Sequence, residues 1–434
     1  MAFIREGAIY AAANAAAAAV PFLMLPLLTR VLAPAEYGEI VNFALLVSVC
    51  TAFAGLNAHA ALGVAWFRNP REEMHAYTGT AIMLAVASTL ALVPVVAIAI
   101  RIVPAMANGI DPLWGAVAAL TAGANVLLQC RLVLWQSQRK PIPSAALQVT
   151  ASLLNVALSL LAVLALGWGG AGRNAGIAIA AAVMAGIAIL LFISAREVQL
   201  RPERRHARQI VAFGLPLALH ILAGAMLGPA DRWVVSMQLG PRELGIYGAG
   251  AQLGMVMAVL ADAFVKAYGP WLYARLASAE GADRYRAVGA IYVAIPAFLL
   301  AAGIVGTLIW LGSGALLGER YATAASVLPW FFLGGAFSGV YMCTSVLYFF
   351  SGRTVRLSAV TTSAAVVGVA CSWLLVRNFG IQGAAMGYAA TQAVLALLTT
   401  SVAMWSFDLP WREPGRAFDA WTRMAFARPA PSSG

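Results

Sequence analysis

Asp262 and Lys266 stand four positions apart in the stretch 244–267, which carries no other charge. On a helix this spacing puts both on one face, where they either neutralise each other or offer a charge pair to a cation or an anionic group. Other polar residues interrupt apolar stretches in the same way: Asn14, Asn57, His59 and His220 inside them, Asp231 and Arg232 near the end of one, and Arg30 at the end of the first. Each histidine is either a packed, hydrogen-bonded residue or a proton carrier. Arg30 and Arg232 either reach toward lipid headgroups or hold a mobile anion. Asp231 and Asp262 are the candidates for binding a coupling ion.

The setting gives these residues their weight. Of 434 residues 62% are hydrophobic and 10% charged, with a net charge of +11, whereas soluble domains run near 25% charged. Apolar runs of membrane-spanning length, about 20 residues, occupy 8–28, 40–67, 77–100, 112–130, 143–166, 176–194, 210–235, 244–267, 287–311, 322–350, 357–376 and 383–407. The runs are continuous rather than alternating, so they read as helices and not barrel strands. The first is longer than the apolar region of a signal peptide and runs on into Pro26 and Arg30, so it is expected to be retained. The fold expected is therefore all-α and polytopic, with about twelve spans. An ionisable side chain inside lipid costs about 2.5 to 3.5 kcal/mol on insertion scales, so each should face protein, water or a ligand.

Counting in from the span ends, Asn14, Asn57, His59, His220, Asp262 and Lys266 fall at similar depth and are expected to form a polar layer in a central cavity. Of the 28 Lys and Arg, nineteen fall on the side of the N-terminus and seven opposite, with Arg131 and Lys266 inside spans. By the positive-inside rule both termini are expected in the cytoplasm. Arg131 is read as a snorkelling anchor. Topology and anionic headgroups account for the basic balance, so no nucleic acid is expected as a partner. The four cysteines, Cys50, Cys130, Cys343 and Cys371, lie inside spans, and neither C-x-x-C nor H-E-x-x-H occurs. No metal or cofactor is expected.

The chain also repeats itself. Leu32-Ala33-Pro34-Ala35-Glu36-Tyr37-Gly38 matches Leu239-Gly240-Pro241-Arg242-Glu243-Leu244-Gly245 at an offset of 207. Ser137-Gln138-Arg139 matches Ser351-Gly352-Arg353 at 214, and Gly172–Gly176 matches Gly380–Ala384 at 208. The L-x-P-x-E-x-G pattern reads as a structural helix start, with Pro opening the helix and the acid near its N-terminus. The domains expected are a six-helix lobe at 1–195, a basic cytoplasmic linker at 196–209, a second lobe at 210–407, and a cytoplasmic amphipathic helix and tail at 408–434. Six helices per half make the halves parallel repeats, able to rock about a shared cavity.

The run Pro21-Phe22-Leu23-Met24-Leu25-Pro26-Leu27-Leu28-Thr29-Arg30, followed by Leu32, Pro34, Glu36, Tyr37 and Gly38, resembles the first hairpin of the polysaccharide transporters. These O-antigen and exopolysaccharide flippases belong to the multidrug/oligosaccharidyl-lipid/polysaccharide exporter superfamily. Asp231-Arg232, then Leu239, Gly240, Glu243, Gly245 and Tyr247, and Lys266-Ala267-Tyr268-Gly269-Pro270-Trp271-Leu272-Tyr273, resemble its seventh and eighth helices. The resemblance implies a V-shaped cavity, alternating access and an undecaprenyl-pyrophosphate-linked oligosaccharide as cargo, in the bacterial inner membrane. Membrane lipids and other polysaccharide assembly proteins are the partners it implies. A cation-coupled multidrug exporter shares the helix count and stays open. A membrane glycan polymerase or ligase is disfavoured, because the outer loops are short and carry no paired carboxylates. The topology predicts that a membrane-impermeant maleimide applied to cells with a permeabilised outer membrane labels Asn378→Cys and leaves Arg201→Cys unlabelled until the inner membrane is opened.

Overall fold

The computed structural model describes residues 2–103, 110–199, 201–278, 281–351 and 353–425; within helices the side chains at 2–12, 14, 18, 220, 223, 226, 227, 354 and 425 lie outside the description. The described residues form no β-strand. Their α-helices are α1 (Ala2–Val31), α2 (Pro34–Phe53), α3 (Ala58–Arg68), α4 (Met74–Ile102), α5 (Pro112–Ser137), α6 (Pro141–Leu160) and α7 (Gly169–Ser194). There follow α8 (Arg204–Leu227), α9 (Ala230–Leu239), α10 (Pro241–Leu276), α11 (Gly281–Leu316), α12 (Leu328–Phe350), α13 (Thr354–Ser406) and α14 (Pro414–Ala425). Among the described residues nine helical stretches are long and apolar enough to cross a membrane, one of them Pro34–Arg68, which joins α2 and α3. A second, in α13, is two passes, because Gly380 at φ 58° reverses the chain. With α1 and the α8–α9 pair, the described chain traces the twelve runs of the sequence. The protein is an all-α, multi-pass membrane protein.

The described residues fall into two compact units, one within Met1–Gly248 and Leu317–Tyr321, the other within Ala249–Leu316 and Ala322–Gly434. In the first unit the starts of α2 and α10 cross in contact. A side chain at Gly38 would land on the Pro241 carbonyl oxygen, and one at Gly245 on the Pro34 carbonyl oxygen. The contact is reciprocal and joins the two copies of the repeated L-x-P-x-E-x-G motif. Lipid offers no hydrophobic drive for helix association, so close backbone approach through glycines takes its place. The Glu36 carboxylate accepts from the Ala33 N–H at 2.7 Å, and Gly170 N donates to its other oxygen at 3.4 Å. This is half of a capping box, since Ala33 has no side-chain oxygen to return the bond. Residues 317–321 complete the crossing: Gly318 N donates to Thr29 Oγ1 at 3.1 Å and Tyr321 O–H to the Leu32 carbonyl at 3.2 Å. The Tyr321 ring meets Tyr37 edge to face, with centroids 5.9 Å apart.

Glycine contacts also set the register of the two helical hairpins. In the first unit Gly172 and Gly176 lie against Ala162 and Ser159; in the second Gly383 and Gly387 lie against Leu375 and Ser372. Packing thus equates Gly172 with Gly383 and Gly176 with Gly387, an offset of 211. The 208 read from the residue pattern is three positions short, because apolar letters match loosely and only contact shows which glycine must lack a side chain. In the second unit α14 packs on α11, with Gly289 against Ala417 and Trp421, and Tyr292 O–H donates to the Trp411 carbonyl at 2.5 Å.

Arg131 is no snorkelling anchor. It is 2% exposed and pairs with Glu197, its guanidinium lying 4.1 Å from the Trp135 ring centroid and 4.7 Å from that of Phe192. Glu197 lies in the segment after α7, which the chain returns to α4: Gln199 N donates to the His75 carbonyl at 2.9 Å. Gln138 Nε2 also donates to Glu197 at 2.9 Å.

Two predictions follow from these contacts. Gly38→Ala or Gly245→Ala forces the proline carbonyl to shift; each should cost about 1 to 3 kcal/mol, read as a lowered thermal midpoint in detergent, whereas Gly303→Ala, which meets open space, should not. At Glu197 burial raises the carboxyl pKa, but hydrogen bonds from Arg131 and Gln138 outweigh it and hold the group below its ordinary value. The pair's contribution is therefore complete above the ordinary carboxylate range and lost as pH falls through the depressed value. Glu197→Gln should cost about 3 to 5 kcal/mol by leaving Arg131 buried and unpaired, and should flatten the acid limb of the stability profile.

Candidate functional site in the first unit

The span begun by α2 is not one helix. Gly55, Leu56 and Asn57 all take positive φ, at 68°, 45° and 56°, and a short 3-10 turn, Ala54–Asn57, separates α2 from α3. Left-handed conformations at Leu56 and Asn57 cost of order 1 to 3 kcal/mol each and persist only where surroundings over-determine them. Non-helical backbone at membrane depth must also find new hydrogen-bond partners. Here Gly55 N donates to Ser88 Oγ of α4 at 2.9 Å, and Asn57 Nδ2 donates to the Gly214 carbonyl of α8 at 3.2 Å. Gly214 lies on the Leu56 carbonyl, where any side chain would collide. The break thus ties the first helix of the second repeat to the second helix of the first. Asn57 Oδ1 and His59 Nδ1 are buried without a hydrogen-bond partner among the described residues.

A second polar feature lies between α1, α5, α6 and α7. Arg173, in the first turns of α7, donates through Nη1 to Asn155 and Ser159 of α6. It lines a cavity of about 260 Å³ with Asn125, Ser152 and Asn155, and with Val20 and Pro21 of α1. A guanidinium carries five N–H groups in a fixed fork, a geometry that matches phosphate oxygens. Arg173 and Arg232 both lie within electrostatic reach of the Tyr37 hydroxyl. Residue patterns put Arg173 in an outer loop. The signal that finds it is the pair Asn155 and Ser159, four residues apart and so on one face of the preceding helix.

The structure places the predicted residues as follows. Asn57 and His59 sit together at the α2–α3 break. Asn14 and His220 lie on α1 and α8 with side chains outside the described residues. Asp231 is buried and accepts a hydrogen bond from Tyr247 O–H; Arg232 beside it is half-buried, with Nε buried and without a hydrogen-bond partner among the described residues. Arg30 is exposed at the end of α1. Asp262 and Lys266 belong to the second unit, where they pair at 2.6 Å with side chains 50% and 69% exposed. Among the described residues no group of three or more His, Cys, Asp or Glu is placed to hold a metal ion.

This architecture occurs in solved structures. It superposes on an inward-facing multidrug resistance MATE family transporter of the MOP superfamily with a TM-score of 0.69, at 14% identity, covering 94% of this chain and 96% of that one. It superposes equally on lipid II flippase MurJ in an inward closed conformation, TM-score 0.69 at 11% identity, covering 97% and 93%. In sequence the chain is 22% identical to Lsg locus putative protein 1 of Haemophilus influenzae over 392 residues, 85% of this chain and 90% of that protein. The family model described as polysaccharide biosynthesis protein matches residues 3–276, and the chain belongs to that family.

Proposed function

We propose that this protein is a flippase that carries undecaprenyl-pyrophosphate-linked oligosaccharide repeat units from the cytoplasmic to the periplasmic leaflet of a bacterial inner membrane. The cargo would serve O-antigen, capsule or exopolysaccharide assembly. The observation that carries this reading is the Arg173-lined cavity inside a membrane-spanning unit of a polysaccharide biosynthesis family member. Pyrophosphate is the part of such a cargo least compatible with lipid, and Arg is the side chain that meets it bidentately. Arg30 and Arg232 act as outer stations for the same group, and Asn14, Asn57, His59, His220 and Lys266 line the path. The lobes rock about that path with both termini in the cytoplasm, and other polysaccharide assembly proteins receive the cargo.

A cation-coupled multidrug exporter is the second reading, favoured by likeness to a MATE fold. Such an exporter calls for open acids in its path. Asp231 is engaged by Tyr247 and Asp262 by Lys266, which weighs toward the anionic cargo.

Deletion in the native host should make lipid-linked repeat units accumulate on the cytoplasmic leaflet, measured by accessibility to a glycosidase in inside-out against right-side-out vesicles. Normal surface glycan together with altered drug tolerance would overturn the reading. Arg173→Ala and Arg232→Ala should each cut surface glycan at least about tenfold at unchanged protein level, with Arg173→Lys recovering part of it.

A further inference from the structure

A second, chemically opposite pocket lies in the first unit, at the end where α2, α5, α7 and α10 all begin. It measures about 250 Å³ and is lined by Glu39 and Asn42 of α2, Asp111 and Trp114 at the start of α5, and Asn174 of α7. At roughly 30 Å³ per water-sized group this volume takes about eight such groups, the scale of one hexose ring rather than of a chain. Among the described residues no Lys or Arg lines it, so it offers a phosphate no cation.

Its polar lining combines two carboxylates, which accept, with two carboxamides, which both accept and donate. Asn174 is 4% exposed, and its Oδ1 is buried with no hydrogen-bond partner among the described residues. A carboxamide oxygen buried in that state is costly unless a donor arrives. Asp111 commits one carboxylate oxygen to Leu113 N at 2.8 Å as the N-cap of α5, and its other oxygen can still accept. Glu39 is exposed and adds a second carboxylate. Asn42 is held from behind: its Oδ1 accepts from Ser236 Oγ at 2.7 Å, which fixes the carboxamide. Trp114 is set edge to face against Phe43, centroids 5.8 Å apart and planes at 85°, so its indole is oriented before any ligand enters. A ligand complementary to this pocket carries several O–H donors around a compact ring with an apolar face to lay on Trp114. That is the description of a pyranose.

We propose that this pocket is a monosaccharide subsite, in which Asn174 Oδ1 and the Glu39 and Asp111 carboxylates accept sugar hydroxyls while Trp114 supports the ring. The proposal rests on the glycan-cargo reading and deepens it. Arg173, one residue from Asn174, serves the anionic group, and this pocket serves a sugar of the attached glycan. The two side chains leave α7 about 100° apart, so one helix start divides the two chemistries.

The test is saturation-transfer NMR on the purified full chain in an amine-oxide detergent, which has no sugar headgroup, with free galactose, N-acetylglucosamine and rhamnose as probes. At least one should show saturation of its ring protons, and the effect should fall by about tenfold or more in Asn174→Ala and in Trp114→Ala. Trp168→Ala, an exposed tryptophan before the same helix, should leave it unchanged. Asn174→Asp preserves size, so loss in Asn174→Ala with retention in Asn174→Asp separates a missing acceptor from a misfolded chain. No transfer from any of the three sugars, or transfer indifferent to both pocket variants, overturns the proposal. A thermal midpoint raised by CaCl₂ or NaCl in wild type but not in Asn174→Ala, without sugar binding, overturns it in favour of a cation site. Free-sugar binding is read without transport, so failure here is distinguishable from failure of the flippase reading, which the leaflet assay decides by itself.

Discussion

At the crossing of α2 and α10, each helix start offers a glycine to the carbonyl of the other's proline, Gly38 to Pro241 and Gly245 to Pro34. Contacts of this kind hold because dispersion between backbones at close range is available in lipid, where burial of apolar side chains gains nothing over acyl chains. The geometry is that of a two-fold interface formed within one chain, the same patch meeting itself. Much of the polar chemistry hangs from it. Tyr37 is held edge to face against Tyr321. Asp231 reaches Tyr247 two residues beyond Gly245, and Ser236 reaches Asn42 four residues beyond Gly38.

The break at Gly55–Asn57 is the second constraint, and it works by withholding backbone groups from the helix. A continuous helix satisfies all its own N–H and C=O groups and has nothing left for a neighbour. By unwinding for one turn, the span frees the Gly55 N–H for Ser88 and turns the Asn57 side chain to the Gly214 carbonyl. Discontinuous helices are how membrane transporters bring backbone and side-chain polarity to mid-depth.

The proposed cargo has two chemistries that lipid rejects, a pyrophosphate and a sugar. The first unit offers a cation-lined cavity at Arg173 and a pocket lined by carboxylates and carboxamides at Asn174. Segregating them avoids placing carboxylates beside the anion, which would cancel the attraction of the guanidinium.

Hydropathy alone determined that the chain is all-helical and crosses the membrane many times, because apolar length and charge-free runs are properties of consecutive residues. The motif at Pro34 and Pro241 was legible as a repeat at 207, and its glycines as structural. Its partner was not, since nothing in a residue pattern says that two copies touch each other. The break between α2 and α3 left only a faint trace, Gly55 and Asn57, the residue types that best tolerate positive φ. Arg131 read as a headgroup anchor from its position near a span end, and only the fold brought Glu197, Trp135 and Phe192 to surround it. Arg173 read as a loop residue, because its worth depends on α1, α5 and α6 meeting around it. Sequence fixes which segments must enter the membrane, since transfer from water is summed along the chain. Which polar side chains share a cavity is decided by helix–helix contact, where close approach depends on single glycines many residues apart.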